Sequence, residues 1–325
     1  METRRLGRTG RDVGVVGLGA WQLGADWGAV DESDALGVLH AAIEGGVTFI
    51  DTADVYGDGR SERLVGQVLK SHDGLTVATK MGRRVEQVPE NYTPDNFRAW
   101  NDRSRQNLGV DTIDLVQLHC PPTAVYSNDA VFDALDSMVD EGRIAAYGVS
   151  VETCAEALTA IARPNVASVQ IILNAFRLKP LDEVLPAAAA AGVGIIARVP
   201  LASGLLSGKY HEHTTFSADD HRTYNRHGEA FDVGETFSGV DFGTGLEAVR
   251  RLMPWLPAGA TMAQFALRWI LDQPGVSVVI PGARNPEQVA GNVSAAALAP
   301  LTDDQLTAVR DTYDELIRPQ IHDRW

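Results

Sequence analysis

The sequence predicts an α/β fold in which eight parallel strands alternate with helices and close into a (β/α)8 barrel. An N-terminal β-hairpin precedes the barrel, and a long loop insertion comes before the last strand. Three observations predict it. Eight short apolar runs, at 15–18, 47–50, 75–79, 113–118, 145–149, 167–172, 194–197 and 276–280, are near-continuous and do not alternate. Strands covered on both faces read this way. The runs recur mostly about 30 residues apart with amphipathic stretches between them, the length of a strand–helix unit. Glycine follows the amphipathic stretches, where a left-handed residue ends a helix without steric cost. A doubly wound open sheet has the same alternation and is the competing arrangement.

Each element has its own signal. Residues 3–16 read as a hairpin turning at Thr9-Gly10. In the helix expected at 33–44, Leu36, Leu39 and Ile43 share one face and Gly45-Gly46 stops it. The helix expected at 130–141 carries Val131, Leu135, Met138 and Val139 and stops at Gly142. A third, at 181–191, stops at Gly192. The rhythm breaks between Gly208 and Ala260, where the chain is rich in Gly, His and Asp and offers one helix, at 245–253. We expect residues 1–325 to form one domain, with 208–259 as an insertion over the face where barrel strands end. Four histidines there, His211, His213, His221 and His227, match no metal-ligand spacing and are expected in solvated loop.

Composition narrows the function. A chain of 325 residues, 45% hydrophobic, has enough apolar surface for a large core. Its net charge of −15 argues against nucleic acid and anionic membrane surfaces as partners. No apolar run is long enough to span a bilayer. The charged start, Met1 to Arg8, has no apolar stretch behind it, so no signal peptide is expected. Two cysteines, Cys120 and Cys154, are too few for a disulfide framework and suit a reducing, cytoplasmic compartment. Several motifs fail. Gly17-Leu-Gly19 is followed by Gln22, so the open-sheet dinucleotide fingerprint is absent. Gly204 to Tyr210 is one residue too short for a P-loop and lacks its final Ser/Thr. There is neither a Gly-x-Ser-x-Gly elbow nor a His-Glu-x-x-His pair.

Chemistry gathers at the strand ends, where barrel enzymes place it. The second run, in Gly46-Val-Thr-Phe-Ile-Asp51, stops at a carboxylate, and Tyr56 follows on a glycine-flanked loop. The third, Thr76-Val-Ala-Thr-Lys80, ends in lysine; the fourth, Asp114-Leu-Val-Gln-Leu-His119, ends in histidine. Taken singly, Asp51 reads equally as a helix cap, Lys80 as a solvated charge and His119 as a core histidine. Together they make a proton-transfer set. Asp51 would hold Lys80 charged, the ammonium would lower the pKa of Tyr56, and Tyr56 would protonate a developing alkoxide hydrogen-bonded to His119. No strong nucleophile accompanies them. The set therefore suits carbonyl reduction, with a cofactor supplying hydride.

At these residues the chain resembles the aldo-keto reductase superfamily, of bacterial type and similar also to potassium-channel β subunits. The resemblance rests on Gly17-Leu-Gly-Ala-Trp21, Phe49-Ile-Asp-Thr-Ala-Asp-Val-Tyr56, Val77-Ala-Thr-Lys80, Asp114 to His119, Tyr147-Gly-Val-Ser150, Pro200 to Tyr210 and Ile280-Pro-Gly-Ala-Arg284. It implies a TIM barrel binding NADPH across its C-terminal face, with Asp51, Tyr56, Lys80 and His119 as catalytic tetrad. By the same resemblance Gly19 and Trp21 border the substrate pocket, and Ser150 and Gln170 hold the nicotinamide carboxamide. Leu201, Gly204 and Lys209 follow the pyrophosphate. Gly282, Arg284, Gln288 and Asn292 meet the adenosine end, with Arg284 on a 2′-phosphate.

The chain also departs from the pattern. Arg198 stands where an aromatic usually lies on the nicotinamide, Val151 where many members have Asn, and Gly291 where Glu is frequent near the adenine. NADH is accordingly left open beside NADPH. The reading is an NADPH-dependent reductase of a small aldehyde or ketone. A cofactor-binding regulatory subunit with little turnover, or an NAD(P)-dependent sugar or polyol dehydrogenase, are the alternatives. Substrate choice is expected from 208–244, 92–100, the loop after Cys120 and the tail at 318–325. The oligomeric state is not legible.

Overall fold

A computed structural model describes residues 1–24 and 30–325. The hairpin pairs β1 (Thr3–Arg5) with β2 (Asp12–Gly14), in the register Thr3↔Gly14 and Arg5↔Asp12. Eight parallel strands follow in sequence order. They are β3 (Leu18–Gly19), β4 (Phe49–Asp51), β5 (Thr76–Met81), β6 (Leu115–His119), β7 (Tyr147–Ser150), β8 (Ser168–Ile172), β9 (Gly194–Arg198) and β10 (Val276–Val279). The first and last also meet. Val16 bridges Val279 and Gly19 bridges Gly282 in parallel. Gly17 donates to the Val279 carbonyl at 2.8 Å, and Val279 donates to that of Val15 at 3.0 Å. The sheet is thus a closed (β/α)8 TIM barrel, not the open alternative.

Eight glycine-punctuated strands need a wrapping layer. It is supplied by α1 (Glu32–Glu44), α2 (Arg60–Leu69), α3 (Pro94–Leu108), α4 (Asp129–Asp140), α5 (Cys154–Ile161) and α6 (Val184–Ala191). The layer ends with α9 (Met262–Leu271) and α10 (Pro286–Ser294), after α7 (His221–Tyr224) and α8 (Phe242–Leu252) of the long insertion. C-terminal α11 (Asp303–Thr312) and α12 (Arg318–Ile321) complete the chain. Gly192 closes α6 at φ 68, and Gly142 lies just past α4 at φ 71. The helix expected at 181–191 starts later, because a 3-10 turn at Lys179–Leu181 precedes it. One large apolar cluster lies between strands and helices.

A second cluster fills the barrel's interior. Phe49, Ala78, Leu115, Ile196 and Val278 point inward, and Leu6 and Val13 of the hairpin plug the floor beneath them. Side chains two residues apart on a strand share a face. Two residues further on stand Asp51, Lys80, Gln117 and Arg198, with Ser168 giving way to Gln170 on β8. On these strands the inward layer therefore turns polar at the C-terminal mouth, while Ile280, just past β10, stays apolar. These polar residues are part of the strands. Lys80 pairs with Gln117, His119 with Ser150, and Ser150 with Gln170 in the ladder. For this reason β4, β5 and β6 extend one or two residues past the apolar runs that announced them.

The insertion is ordered chiefly by aromatic packing. Tyr210, Phe216, Phe237 and Phe242 form a chain of ring contacts 5.2–6.3 Å apart. The terminal Trp325 anchors it, donating Nε1 to Asp232 at 3.0 Å and stacking on Arg177 at 3.7 Å. The helix expected at 245–253 is α8, which begins three residues earlier behind the Asp241 cap on Thr244. No helix of the described residues is long and apolar enough to cross a membrane.

Candidate active site

At the polar mouth, β4, β5 and β6 bring three side chains to one point. Lys80 Nζ donates to Asp51 Oδ1 at 2.5 Å, to the Thr52 carbonyl at 2.9 Å and to Tyr56 Oη at 3.4 Å. Lys80 is only 1% exposed, so an ammonium here requires that carboxylate. Burial pulls the Lys80 pKa down, but the charge and hydrogen bond of Asp51 outweigh it and the net shift is upward. The other carboxylate oxygen accepts from Gln117 at 3.0 Å and Gln170 at 2.8 Å. The Tyr56 ring meets the His119 imidazole edge-on, with centroids 5.9 Å apart. Trp21 stacks on the other side of Tyr56 at 6.0 Å.

The protonation states follow from burial. His119 is held well below the ordinary imidazole value by burial and by the charges of Arg83, Lys80 and Arg198, so its ring is neutral. Its Nδ1 has no partner among the described residues. Tyr56 departs from the sequence-based expectation. Lys80 does favour the phenolate, but burial is the larger effect, joined by the charges of Asp51 and Glu235, and the phenol pKa rises. The ammonium offsets desolvation and does not overcome it. Tyr56 therefore keeps its proton at neutral pH.

A cavity of about 920 Å3 opens above this cluster, near the upper end of the usual range for small-molecule sites. Asp51, Tyr56 and His119 line it, and Lys80 lies beneath. The other expected positions also line it: Gly19, Trp21, Ser150, Gln170, Arg198, Leu201, Gly204, Lys209, Gly282, Arg284, Gln288 and Asn292. The cationic residues Lys209, Arg222 and Arg284 line it too. Beside them α10 begins, with Pro286 at its first turn and the Asn285 side chain capping Gln288 N–H. Gly204, at φ +95, lets the backbone pass Tyr210; a Cβ there would sit 2.2 Å from its hydroxyl. Val199, Ala202 and Ser203 in the same loop also hold positive φ, a costly backbone for a branched residue such as Val199.

Other expectations change on contact with the structure. Arg198 is not a loose cation. It pairs with Glu235 through Nη1 and with Glu152 through Nη2 at 2.8 Å, and Nη2 also donates to the Val151 carbonyl at 3.0 Å. Two carboxylates thus meet its charge. β6 ends at His119, and Cys120 just beyond it adopts φ 44. Its Sγ lies 3.0 Å from Ser150 Oγ. Burial and the Glu152 charge raise its thiol to about 12. His221 was expected in solvated loop and is instead fully buried, its ring 5.4 Å from that of Trp21. Among the described residues, neither the 92–100 region nor the 318–325 tail lines the cavity; Tyr92 and Trp100 pack on Phe97 instead.

Sequence reasoning missed Gln117, Arg83, Glu152, Glu235 and Arg222. Gln117 was findable, lying two residues before His119 and therefore on the same strand face. The rest lie just past strand ends or in the short turns of the insertion, where no strand periodicity reports direction. Among the described residues no cluster of three or more His, Cys, Asp or Glu is arranged to hold a metal ion.

A barrel with an acid, phenol, ammonium and imidazole converging at its C-terminal mouth defines a class of protein, and comparison with known chains names it. The profile of the aldo/keto reductase family matches residues 15–314. The aldo-keto reductase YhdN of Bacillus subtilis is 31% identical over 297 residues, covering 89% of this chain and 87% of that one. A solved aldo-keto reductase of Bacillus halodurans in its holo form superposes with TM-score 0.78 at 26% identity, covering 96% of both chains. A solved glycerol dehydrogenase of Gluconobacter oxydans superposes with TM-score 0.77 at 30% identity, covering 98% of this chain and 96% of that one. The chain belongs to the aldo/keto reductase family and is an oxidoreductase.

Proposed function

We propose that this protein reduces a small aldehyde or ketone to the alcohol, with NADP(H) as cofactor and Tyr56 as general acid. The observation that carries the reading is the Asp51–Lys80–Tyr56 hydrogen-bond chain ending in a cavity wall beside neutral His119. The residues present fit an extended dinucleotide. Lys209 and Arg284 suit phosphate oxygens at one end, while Arg222 in the same wall is bound through its fork to Asp220. At the other end, Gln170 donates its amide N–H to Asp51 and Gln117. Its Oε1 accepts no hydrogen bond from the described residues and suits a carboxamide N–H. NADPH, when bound, supplies the hydride.

The chain's own residues do the rest. Tyr56 holds a proton at Oη and releases it to the carbonyl oxygen as negative charge develops there. Lys80 then stabilises the phenolate left behind, which it cannot do for the neutral phenol; this is differential stabilisation of the kind that lowers a barrier. Asp51 keeps Lys80 charged and aimed, with Gln117 and Gln170 fixing the carboxylate. Neutral His119 offers a ring N–H to the same oxygen without competing as an acid. Trp21, Tyr224 and Phe231 line the mouth as an apolar wall for the substrate carbon skeleton. We read residues 1–325 as one catalytic domain, 208–259 as its substrate-facing insertion, and the free cysteines as suited to the cytoplasm.

The test is cofactor oxidation followed at the nicotinamide absorbance with a panel of neutral aldehydes and ketones. Turnover with a preference for NADPH over NADH is expected. Tight NADPH binding with no turnover on any carbonyl or polyol would favour the regulatory reading instead. The similarity to a glycerol dehydrogenase favours one further arm, polyol oxidation with NADP+ or NAD+. If polyol oxidation exceeds carbonyl reduction under every condition, the site runs chiefly in the other direction.

A further inference from the structure

Arg83 enters the cavity just beyond Tyr56 and His119, and its fork is underused. Its side chain is 24% exposed and lines the cavity wall. Nε donates to the His119 carbonyl at 3.2 Å, which fixes the base of the guanidinium against β6. The terminal nitrogens make no hydrogen bond among the described residues. The nearest carboxylate contact is Nη2 to Glu152 Oε1, at 3.7 Å. Glu152 is already engaged through its other oxygen by Arg198, and Glu235 pairs with Arg198 too. Two carboxylates converge on Arg198 while Arg83 is left with a long contact to one of them. A buried or half-buried guanidinium ordinarily takes a bidentate oxyanion.

We infer that Arg83 binds a carboxylate on the substrate, so that the preferred substrate is an aldehyde or ketone bearing a carboxylate group. The inference rests on the carbonyl-reductase reading and deepens it. One guanidinium that lacks a close partner matches one negative charge. A phosphate monoester would bring nearly two into a wall that also carries Glu152 and Glu235, which favours the carboxylate. Proximity to the chemistry is supported by electrostatics, since after burial the Arg83 charge is the largest influence lowering the His119 pKa. The carbonyl oxygen would lie at Tyr56 and His119 and the carboxylate at the Arg83 fork, with the apolar wall of Trp21 and Phe231 along the carbon chain.

The experiment compares unbranched oxo-acids of two to six carbons, aldehyde at one end and carboxylate at the other, with their methyl esters. Wild-type protein and the Arg83→Gln and Arg83→Lys variants are assayed with NADPH. For the best chain length, kcat/KM should favour the acid over its ester. Arg83→Gln should lower kcat/KM roughly 10- to 100-fold more for the acid than for its ester, with the acid's extra loss mainly in KM. Arg83→Lys should recover part of the loss, as a charge without the fork. Without cofactor, calorimetric titration with sodium butanoate should show binding to wild type that weakens by a similar factor in Arg83→Gln. Esters reduced as well as acids at every length would overturn the inference while leaving carbonyl reduction standing. An equal loss on acid and ester in Arg83→Gln would overturn it as well, by showing that Arg83 serves only to hold the His119 carbonyl. Wild-type protein that reduces no carbonyl at all would overturn both readings. Should Arg83→Gln fail to fold, the wild-type acid–ester ratio and Arg83→Lys decide the matter.

Discussion

Asp51 closes β4 and Asp54 follows three residues later, and their carboxylates have opposite surroundings. Asp51 receives Lys80, Gln117 and Gln170. Asp54 is fully buried with neither oxygen hydrogen-bonded among the described residues. Burial, with the nearby Glu62 charge, raises its pKa to about 7. The folded protein therefore binds a proton that the unfolded chain releases near pH 4. Stability from this group is complete below that pH, falls as pH rises, and is lowest above about 7. Asp54→Asn should gain on wild type as pH rises from 5 to 8, by roughly 2–3 kcal/mol, the part of the shift that falls inside that window. Urea unfolding at both pH values checks it; a difference between the two proteins that does not change with pH contradicts it. A second pH prediction concerns activity. With Tyr56 raised and His119 lowered, both hold their working forms across neutrality. The reduction kcat/KM should stay level from about pH 6 to 8.5. A fall through pH 7 that tracks imidazole protonation would show His119 titrating there instead.

Among elements, the strand ends were legible and the loops were not. On β4, β5, β6 and β9 the inward face turns from hydrocarbon to a polar group within two residues, as at Phe49 and Asp51 or Ala78 and Lys80, and that pattern is visible in sequence. The apolar runs start too early and stop short of the C-terminal strand ends, where Lys80 and His119 still pair in the ladder. The burial of His221 was not legible because its ring packs against Trp21, which is far away in sequence, as well as Phe231. The insertion likewise depends on a distant group. Trp325 is 6% exposed and packs so closely on Gly239 that a Cβ there would lie 2.4 Å from its ring. Trp325→Ala should cost about 3 kcal/mol of stability, raise KM, and open the 225–240 stretch to limited proteolysis. Unchanged cleavage kinetics would mean that the insertion holds without its anchor.

For the whole molecule, spacing announced eight strands, but closure was not written in any one of them. It depends on β3 meeting β10 through Gly17 and Gly19, small enough for the backbones to approach. A Cβ at Gly17 would sit 2.9 Å from the Phe49 carbonyl and 3.2 Å from a Val278 methyl. Gly17→Ala should therefore cost roughly 1–3 kcal/mol of stability, read by denaturant unfolding. It should leave the protonation behaviour of Tyr56 and His119 unaltered. Closure also sets the site, since the ring of strand ends brings Asp51, Lys80, His119 and Ser150 to a common mouth and joins them to Gly282 across the seam.

The central claim is that Tyr56 delivers the proton while a bound nicotinamide delivers the hydride. It is tested most directly by NADPH oxidation with one neutral aldehyde, comparing wild type with Tyr56→Phe and titrating NADPH binding to both. Loss of at least ~100-fold in kcat, with NADPH affinity within a fewfold of wild type, is the result the account predicts. Turnover that persists in Tyr56→Phe at the wild-type rate would contradict it and pass the proton to another donor.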